Sequence, residues 1–176
     1  YMQRHRESFT REEYDRRMEY GREILSNYHS SHIPGSHKIV AIERNIRNVV
    51  VDGVPLKGKL DKLEFDGHAV NVVDYKTGNP DNARKKMKDP EKDPPYGGDY
   101  WRQAVFYKLL VDHYEQKKWQ VVSTEFDFIE PDAKKILKKE KLVITDDDIR
   151  ALREQIVTVW AKIQNREFYI GCGKED

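Results

Sequence analysis

The sequence has few of the features that mark secreted, membrane-spanning or disulfide-stabilised proteins. Cys172 is the single cysteine among 176 residues, so no internal disulfide can form and a reducing compartment such as the cytoplasm is expected. No signal peptide and no membrane-length apolar run are recognisable. Lysine and arginine number 32 against 31 aspartates and glutamates. The net charge of +1 therefore indicates no class of partner, and any attraction to DNA must come from local patches.

Aromatic residues, by contrast, are plentiful. Three tryptophans, ten tyrosines and six phenylalanines can fill a core although 36% of the residues are charged. A length of 176 residues predicts a single domain spanning 1–176. The first residue is Tyr1 rather than methionine, so we expect the sequence to be a piece of a longer protein.

Hydrophobic periodicity predicts three helices. The first is expected within residues 1–31, with Thr10 as its N-cap and with Gly21 allowing close packing. The second is expected at residues 99–117. The third begins after Thr145, where three aspartates suit the positive end of a helix dipole, and apolar residues at helical spacing through Ile163 predict its buried face.

Strand signals complete an α/β pattern. The Asp52-Gly53 pair predicts a hairpin between residues 38–51 and 54–65. Further strands are expected at 119–129 and 142–144. Together with the strand that contains Asp74, these segments predict a mixed sheet of four or five strands flanked by helices.

The second hairpin, with a turn at Asp66-Gly67, carries the most distinctive charged residues. Its predicted register places Asp61 opposite Val72, which makes Asp61 and Asp74 diagonal neighbours roughly 7–8 Å apart. Lys76 lies two residues further on the same face. Two such carboxylates can bind one small cation, and a lysine can orient water. A solvated, salt-bridged face is the alternative, but charges ending a buried strand are costly unless they are paired or metal-bound.

Three short motifs resemble those of the PD-(D/E)xK nuclease superfamily, in particular its RecB-like branch. They are Gly58-Lys59-Leu60-Asp61, Asp74-Tyr75-Lys76-Thr77-Gly78, and the Gln-x-x-x-Tyr pattern formed by Gln103 and Tyr107. Three motifs in this order are specific, whereas Asp-x-Lys alone would be weak. The resemblance covers most of the chain and is closest to the nuclease domain at the C-terminus of some UvrD/Rep-like helicases.

The resemblance implies a restriction-endonuclease-like fold and DNA cleavage that depends on Mg²⁺ or Mn²⁺, with helicase domains in the same parent chain. It implies that Asp61 and Asp74 bind the metal, with the carbonyl of Tyr75 as a third ligand, and that Lys76 positions the water. By the same resemblance, the motif on the second helix, Gln103 and Tyr107, steadies the site or touches DNA.

The alternative is a non-catalytic DNA-binding or interaction module that keeps the nuclease fold. The complete set of two aspartates and one lysine favours the enzyme, because a degraded domain usually loses one of the three.

Some positions depart from the family pattern. Many relatives have another acidic residue near Glu43, which reaches the site only if a bulge shifts its strand; a bulge-free register puts Arg44 opposite Asp61. The family's early-helix histidine is replaced by Leu25, with His29 one turn later, and this puts a second metal position in doubt. Cys172 alone cannot hold an iron–sulfur cluster, so none is expected.

Residues 78–99 form a long insertion rich in proline and glycine. Loops of this length are usually either functional or disordered. Two interpretations stay open, a solvated mobile loop and a lid that contacts DNA phosphates beside the metal site. The residues expected to contact DNA are Arg84, Lys85, Lys86 and Lys88.

Overall fold

The structure is a computed structural model, and it describes residues 2–32, 39–92, 95–114 and 118–167. His37 and Cys172 lie outside these ranges. In chain order the elements are α1 (Arg11–His32), β1 (Ile39–Val51), β2 (Val54–Asp66), β3 (Ala69–Lys76), α2 (Ala83–Lys86), α3 (Asp99–Asp112), β4 (Gln120–Phe128), β5 (Lys139–Leu142) and α4 (Asp146–Gln164). Short 3₁₀ helices, Met2–Ser8 and Pro80–Asn82, precede α1 and α2. None of the described helices is long and apolar enough to span a bilayer.

Within the described ranges five strands form one mixed sheet, in the order β1-β2-β3-β4-β5. Strands β3 and β4 are parallel, and the other neighbours are antiparallel. A parallel pair needs a crossover of a dozen or more residues, which the stretch containing α2 and α3 supplies. The predicted α/β fold, with a mixed sheet flanked by helices, is confirmed.

Helix α3 packs across the sheet and carries much of the core. Its side chains Trp101, Val105 and Leu110 are at most 1% exposed and belong to one cluster with Leu63 and Val72 of the sheet. Fully burying one such side chain contributes roughly 1.5–3 kcal/mol. This packing fixes the orientation of α3, and so the direction in which its polar residues point.

The local signals at helix starts and at the first hairpin are confirmed. Thr145 and Asp148 form a reciprocal capping box at the start of α4, and Thr10 forms the same arrangement with Glu13 before α1. The loop between β1 and β2 is Asp52-Gly53, whose φ angles are 51° and 77°. Two positive φ angles match the twist of the flanking strands, which is why such pairs favour hairpins.

The predicted register of the second hairpin is wrong by two residues. Asp66 pairs with Ala69, so the loop is Gly67-His68, and Leu63 rather than Asp61 lies opposite Val72. The turn closes one residue later than expected. Because side chains alternate with a period of two, a two-residue shift does not by itself exchange the two faces of the hairpin.

Several element boundaries also differ from the predictions. Helix α1 continues to His32, one residue beyond the predicted range. Strand β5 spans Lys139–Leu142 instead of 142–144, and α3 ends at Asp112 instead of 117. Gly21 does not serve close packing, because a Cβ there would meet nothing within 4 Å.

The apolar face of α4 is only partly covered. Leu152 is buried, whereas Val159 and Ile163 are 54% and 48% exposed. Helical spacing identifies the apolar face of a helix. How much of that face is buried depends on the elements that pack beside it.

The long insertion has more regular structure than the sequence indicated. After the 3₁₀ turn, α2 buries Ala83, and the amide of Gly98 donates to the carbonyl of Lys88 at 2.8 Å. At its start, Asp81 accepts a hydrogen bond from the amide of Ala133 at 3.3 Å. The described part of the insertion is therefore tied to the body at its start, and its end is bonded back to Lys88.

Candidate active site

The site lies where β2 and β3 separate. The paired residues of these strands end at Lys62 and Val73, and two residues further along β3 the amide of Tyr75 donates to Asp61 Oδ2 at 3.0 Å. Leu60 and Leu63 are both fully buried in the same core although they are three residues apart. Strict alternation would put them on opposite faces, so the strand is irregular beside Asp61. This irregularity directs the Asp61 carboxylate to the end of β3.

Asp74 is the centre of the site's hydrogen-bond network. It is 4% exposed, and its Oδ1 accepts from Tyr107 Oη at 2.7 Å and from Gln103 Nε2 at 3.0 Å. Gln103 and Tyr107 are one turn apart on α3, and Gln103 Nε2 also donates to Tyr107 Oη at 2.6 Å. The helix motif thus holds one oxygen of the carboxylate in place and leaves the other oxygen free of it.

Lys76 faces that other oxygen. Its Nζ lies 2.6 Å from Asp74 Oδ2, and it donates to Gln103 Oε1 at 2.7 Å. Asp74 Oδ2 itself is buried and has no aligned hydrogen bond. The same Gln103 amide therefore bridges the acid and the lysine, with its oxygen turned to the cation and its nitrogen to the carboxylate.

The phenol of Tyr107 is kept neutral by its surroundings. Burial, followed by the hydrogen bond to Asp74, raises the pKa of Tyr107 well above its usual value. A neutral phenol remains a donor at every physiological pH. Tyr107 therefore acts as a fixed hydrogen-bond donor to Asp74.

A bulge brings Glu43 into line with the site. Its neighbours in β1 pair with Leu60 and Lys62, so Glu43 lies opposite Asp61, and a register shift further along β1 makes this possible. Its φ angle is 51°, in the left-handed region. The Glu43 carboxylate forms an exposed ion pair with Lys59. The structure thus places Glu43 beside Asp61 but engages its carboxylate elsewhere.

The four basic residues of the insertion lie on or next to α2, and all are exposed. Arg84 approaches Glu140 of β5 at 4.0 Å. Lys86 lies over the ring of Tyr100. These contacts place α2 beside the sheet end that carries Lys76.

Tyr100 is a site residue that the sequence analysis missed. Lys76 Nζ lies 4.8 Å from its ring centre and 5.3 Å from that of Phe126, so aromatic faces support the ammonium. Its spacing in the sequence could have identified it. Tyr100 lies three residues before Gln103 and seven before Tyr107, which puts all three on one face of α3.

Tyr28 of α1 joins the neighbourhood from the other side of β3. Its ring meets that of Tyr75 edge-on at 6.2 Å, and its hydroxyl donates to Asp127 at 2.6 Å. Leu25 is 58% exposed, and His29 is exposed on the same helix. Neither has a described contact with the aspartates.

The oxygen atoms of the site suit a small divalent cation. A small, hard cation prefers oxygen ligands, and two carboxylates suffice when waters and phosphate complete the shell. Asp61 and the buried, unaligned Oδ2 of Asp74 fit this requirement. No cluster of three or more His, Cys, Asp or Glu side chains occurs in the described ranges. The backbone carbonyl of Tyr75 remains the third protein ligand that the sequence predicts.

Comparisons with known proteins address the family and the fold. The family model of the PD-(D/E)XK nuclease superfamily matches residues 2–172. An alkaline exonuclease from Laribacter hongkongensis is 14% identical with a TM-score of 0.51, over 85% of this chain and 69% of that one. A protein from Eubacterium rectale, provisionally named an exonuclease, is 14% identical with a TM-score of 0.58, over 99% of this chain and 65% of that one.

The chain thus spans about two thirds of the length of these two neighbours, and at 14% identity the structural likeness shows a shared fold alone. A comparison with curated protein sequences gave no match. The family match covers nearly the whole chain, including every residue of the site. The chain belongs to the PD-(D/E)XK nuclease superfamily.

Proposed function

We propose that this protein is a DNA nuclease that requires Mg²⁺ or Mn²⁺. The proposal rests on the different surroundings of the two carboxylate oxygens of Asp74. Two donors from α3 hold one oxygen, while the buried second oxygen faces Lys76. Buried polar atoms are usually hydrogen-bonded, so an oxygen without an aligned donor among the described residues is available to another ligand. One oxygen kept clear of α3 suits a metal ligand.

Each residue then has a defined task. Asp61 and Asp74, with the carbonyl of Tyr75, would hold the cation. When bound, a divalent cation polarises the phosphodiester and lowers the pKa of water. Lys76 keeps its ammonium at the end of β3, where it orients the attacking water and offsets negative charge that develops on the phosphate. Gln103 couples the positions of Lys76 and Asp74.

DNA would approach along the side of the sheet end that carries α2. The exposed residues Arg84, Lys85, Lys86 and Lys88 supply local positive charge that the balanced composition does not provide. Each phosphate that a lysine or arginine neutralises releases counterions and strengthens binding at low salt. We further propose that the chain works in the cytoplasm beside helicase domains of a longer protein, as its RecB-like motifs suggest.

A binding module without catalysis is the second candidate. In its favour, the described residues provide two carboxylates but no cluster of three metal-binding side chains, and Lys76 already neutralises Asp74. Such a module would bind DNA through α2 and use the Asp74–Lys76 pair for stability.

Cleavage assays with Lys76→Met separate the two. Methionine keeps most of the apolar length of the lysine and removes the charge. If Lys76 acts in the chemical step, the cleavage rate in Mn²⁺ should fall on the order of 10²–10³-fold while DNA binding persists. Circular dichroism must show that the variant is folded. Equal rates for Lys76→Met and wild type would remove Lys76 from the mechanism.

Metal binding provides the matching measurement. Calorimetric titration with Mn²⁺ should show binding to wild type that Asp74→Ala abolishes, because the variant loses a ligand. Asp66→Ala is the control, since this exposed carboxylate belongs to the hairpin end remote from Tyr75. A wild-type protein that binds Mn²⁺ no better than Asp74→Ala and cuts no DNA would favour the binding module.

A further inference from the structure

A second ammonium group reaches the candidate site through the ring of Tyr100. Lys76 Nζ and Lys86 Nζ lie 4.8 Å and 5.0 Å from the centre of this one ring. The two nitrogens are therefore no more than about 10 Å apart. An aromatic face attracts each cation through the ring's quadrupole. Tyr100 thus links the lysine of the site to a lysine of α2.

The ring that both lysines contact is itself fixed. Tyr100 stacks on Phe126 with ring centres 4.8 Å apart, and Phe128 lies 6.4 Å away. Both phenylalanines are fully buried in β4. A ring supported in this way keeps one orientation. The ring therefore loses little further conformational entropy when a lysine packs against it.

The backbone of Lys86 is fixed as well. Gly98 lies against it so closely that a Cβ at this glycine would overlap the Lys86 carbonyl oxygen. The Gly98 amide also donates to the carbonyl of Lys88, two residues along. The start of α3, which carries Tyr100, and the end of α2 are therefore joined through their main chains.

Lys86 differs in this respect from the other basic residues of α2. Arg84 is drawn towards Glu140, and no contact of Lys85 or Lys88 with the site occurs in the described part of the chain. Lys86 is exposed, and its ammonium has no carboxylate partner among the described residues. Lys76, in contrast, is engaged by Asp74 and Gln103. Lys86 therefore offers a charge that remains available to a ligand.

We propose that Lys86, supported by Tyr100, binds a DNA phosphate next to the one that is cleaved. This inference rests on the proposed function. Successive phosphates of a DNA strand are about 3.4 Å apart along the helix axis and further apart through space, so a span of at most about 10 Å from Lys76 is enough to reach a neighbouring phosphate. A single charge at this distance fixes the position of the strand across the site.

The test uses the whole chain and an oligonucleotide whose cleaved bond has been mapped with wild type. Single methylphosphonates, each of which removes one phosphate charge, are placed in turn on both sides of that bond. At one neighbouring position kcat/KM should fall roughly 10-fold or more, as for the loss of one charge-assisted hydrogen bond. Lys86→Ala should show no penalty at that position, because its contact is already absent.

Matched variants separate a defined contact from general charge. Lys85→Ala removes the neighbouring charge and should keep the position-specific penalty. Tyr100→Phe should keep it as well, whereas Tyr100→Leu should weaken it, because only the aromatic variant supports the ammonium. Equal penalties in wild type and Lys86→Ala would overturn the proposal, as would loss of the penalty in Lys85→Ala.

A wild-type protein that cuts no DNA would refute the nuclease function. The phosphate contact of Lys86 can then still be tested by DNA binding. Methylphosphonates are then placed at successive positions along the whole oligonucleotide, and equilibrium binding is measured in EDTA. A position-specific penalty that is present in wild type and absent in Lys86→Ala supports the phosphate contact. The same binding profile for both proteins, or no binding by wild type, overturns it.

Discussion

Replacing Tyr107 with phenylalanine removes one oxygen atom from the centre of the Asp74 network. That oxygen is 2.7 Å from Asp74 Oδ1 and 2.6 Å from Gln103 Nε2, and the residue is 7% exposed. A hydrogen bond to a charged group contributes about 1.5–3 kcal/mol. Gln103 remains as the second donor to Asp74, at 3.0 Å, so the carboxylate is not left bare.

We therefore expect Tyr107→Phe to lower the free energy of unfolding by about 1.5–3 kcal/mol. For a chain of this size, that corresponds to a melting temperature lower by roughly 3–12 °C. Urea denaturation at pH 7 measures the change, and Tyr96→Phe is the control because Tyr96 is 57% exposed.

A double-mutant cycle with Asp74→Ala isolates the contact. The coupling energy should account for most of the loss, since the other effects of each change cancel. Tyr107→Phe should also weaken Mn²⁺ binding about 10–100-fold, as for a lost partner of a metal ligand. A coupling energy near zero would show that the hydroxyl does not stabilise Asp74, and the assigned role of the Gln-x-x-x-Tyr motif would then be wrong.

Three further predictions concern the glycines, pH and salt. Gly21→Ala should stabilise the protein by about 0.5–1 kcal/mol, because the helical site has room for a Cβ. Gly98→Ala should destabilise it by about 1–3 kcal/mol, because a Cβ there would overlap the Lys86 carbonyl. Melting curves that rank the two variants in the opposite order would contradict this packing. Burial, and next the bond to Asp127, raise the pKa of Tyr28, so the stabilisation from its neutral hydroxyl is complete at neutral pH and begins to be lost above pH ~10, where unfolded tyrosine ionises. The stability gap between wild type and Tyr28→Phe should therefore narrow from pH 7 to pH 11, and a constant gap in urea titrations would count against that bond. Reversing the charges of the four basic residues on and next to α2 should weaken DNA binding and flatten its salt dependence, whereas an unchanged slope would mean that this segment makes no phosphate contacts.

Local sequence signals predicted the elements that hold the site. The capping residue Thr145 started a helix, and Asp52-Gly53 closed a hairpin, because each depends on a few neighbouring residues. The helical spacing of Gln103 and Tyr107 placed both on one face of α3, and in the structure this face contacts Asp74. Spacing within one element survives folding unchanged, so it can be read before the structure is known.

Contacts between elements could not be read in the same way. The second hairpin turned one residue later than its Asp-Gly pair suggested, because pairing along the whole of β2 outweighs the preference of one turn. The position of Glu43 depended on a bulge elsewhere in β1, and no local residue pattern marked it.

The sequence by itself determined the residue types of the candidate site, since the two aspartates, the lysine and the glutamine–tyrosine pair were recognisable in order along the chain. Tertiary structure alone decided how they meet. Three features depend on residues from different elements. They are the irregularity beside Asp61, the ring of Tyr100 next to Lys76 and the contact of Gly98 with Lys86. Such contacts arise from close packing of the whole core, which is a collective property that no single stretch of sequence encodes.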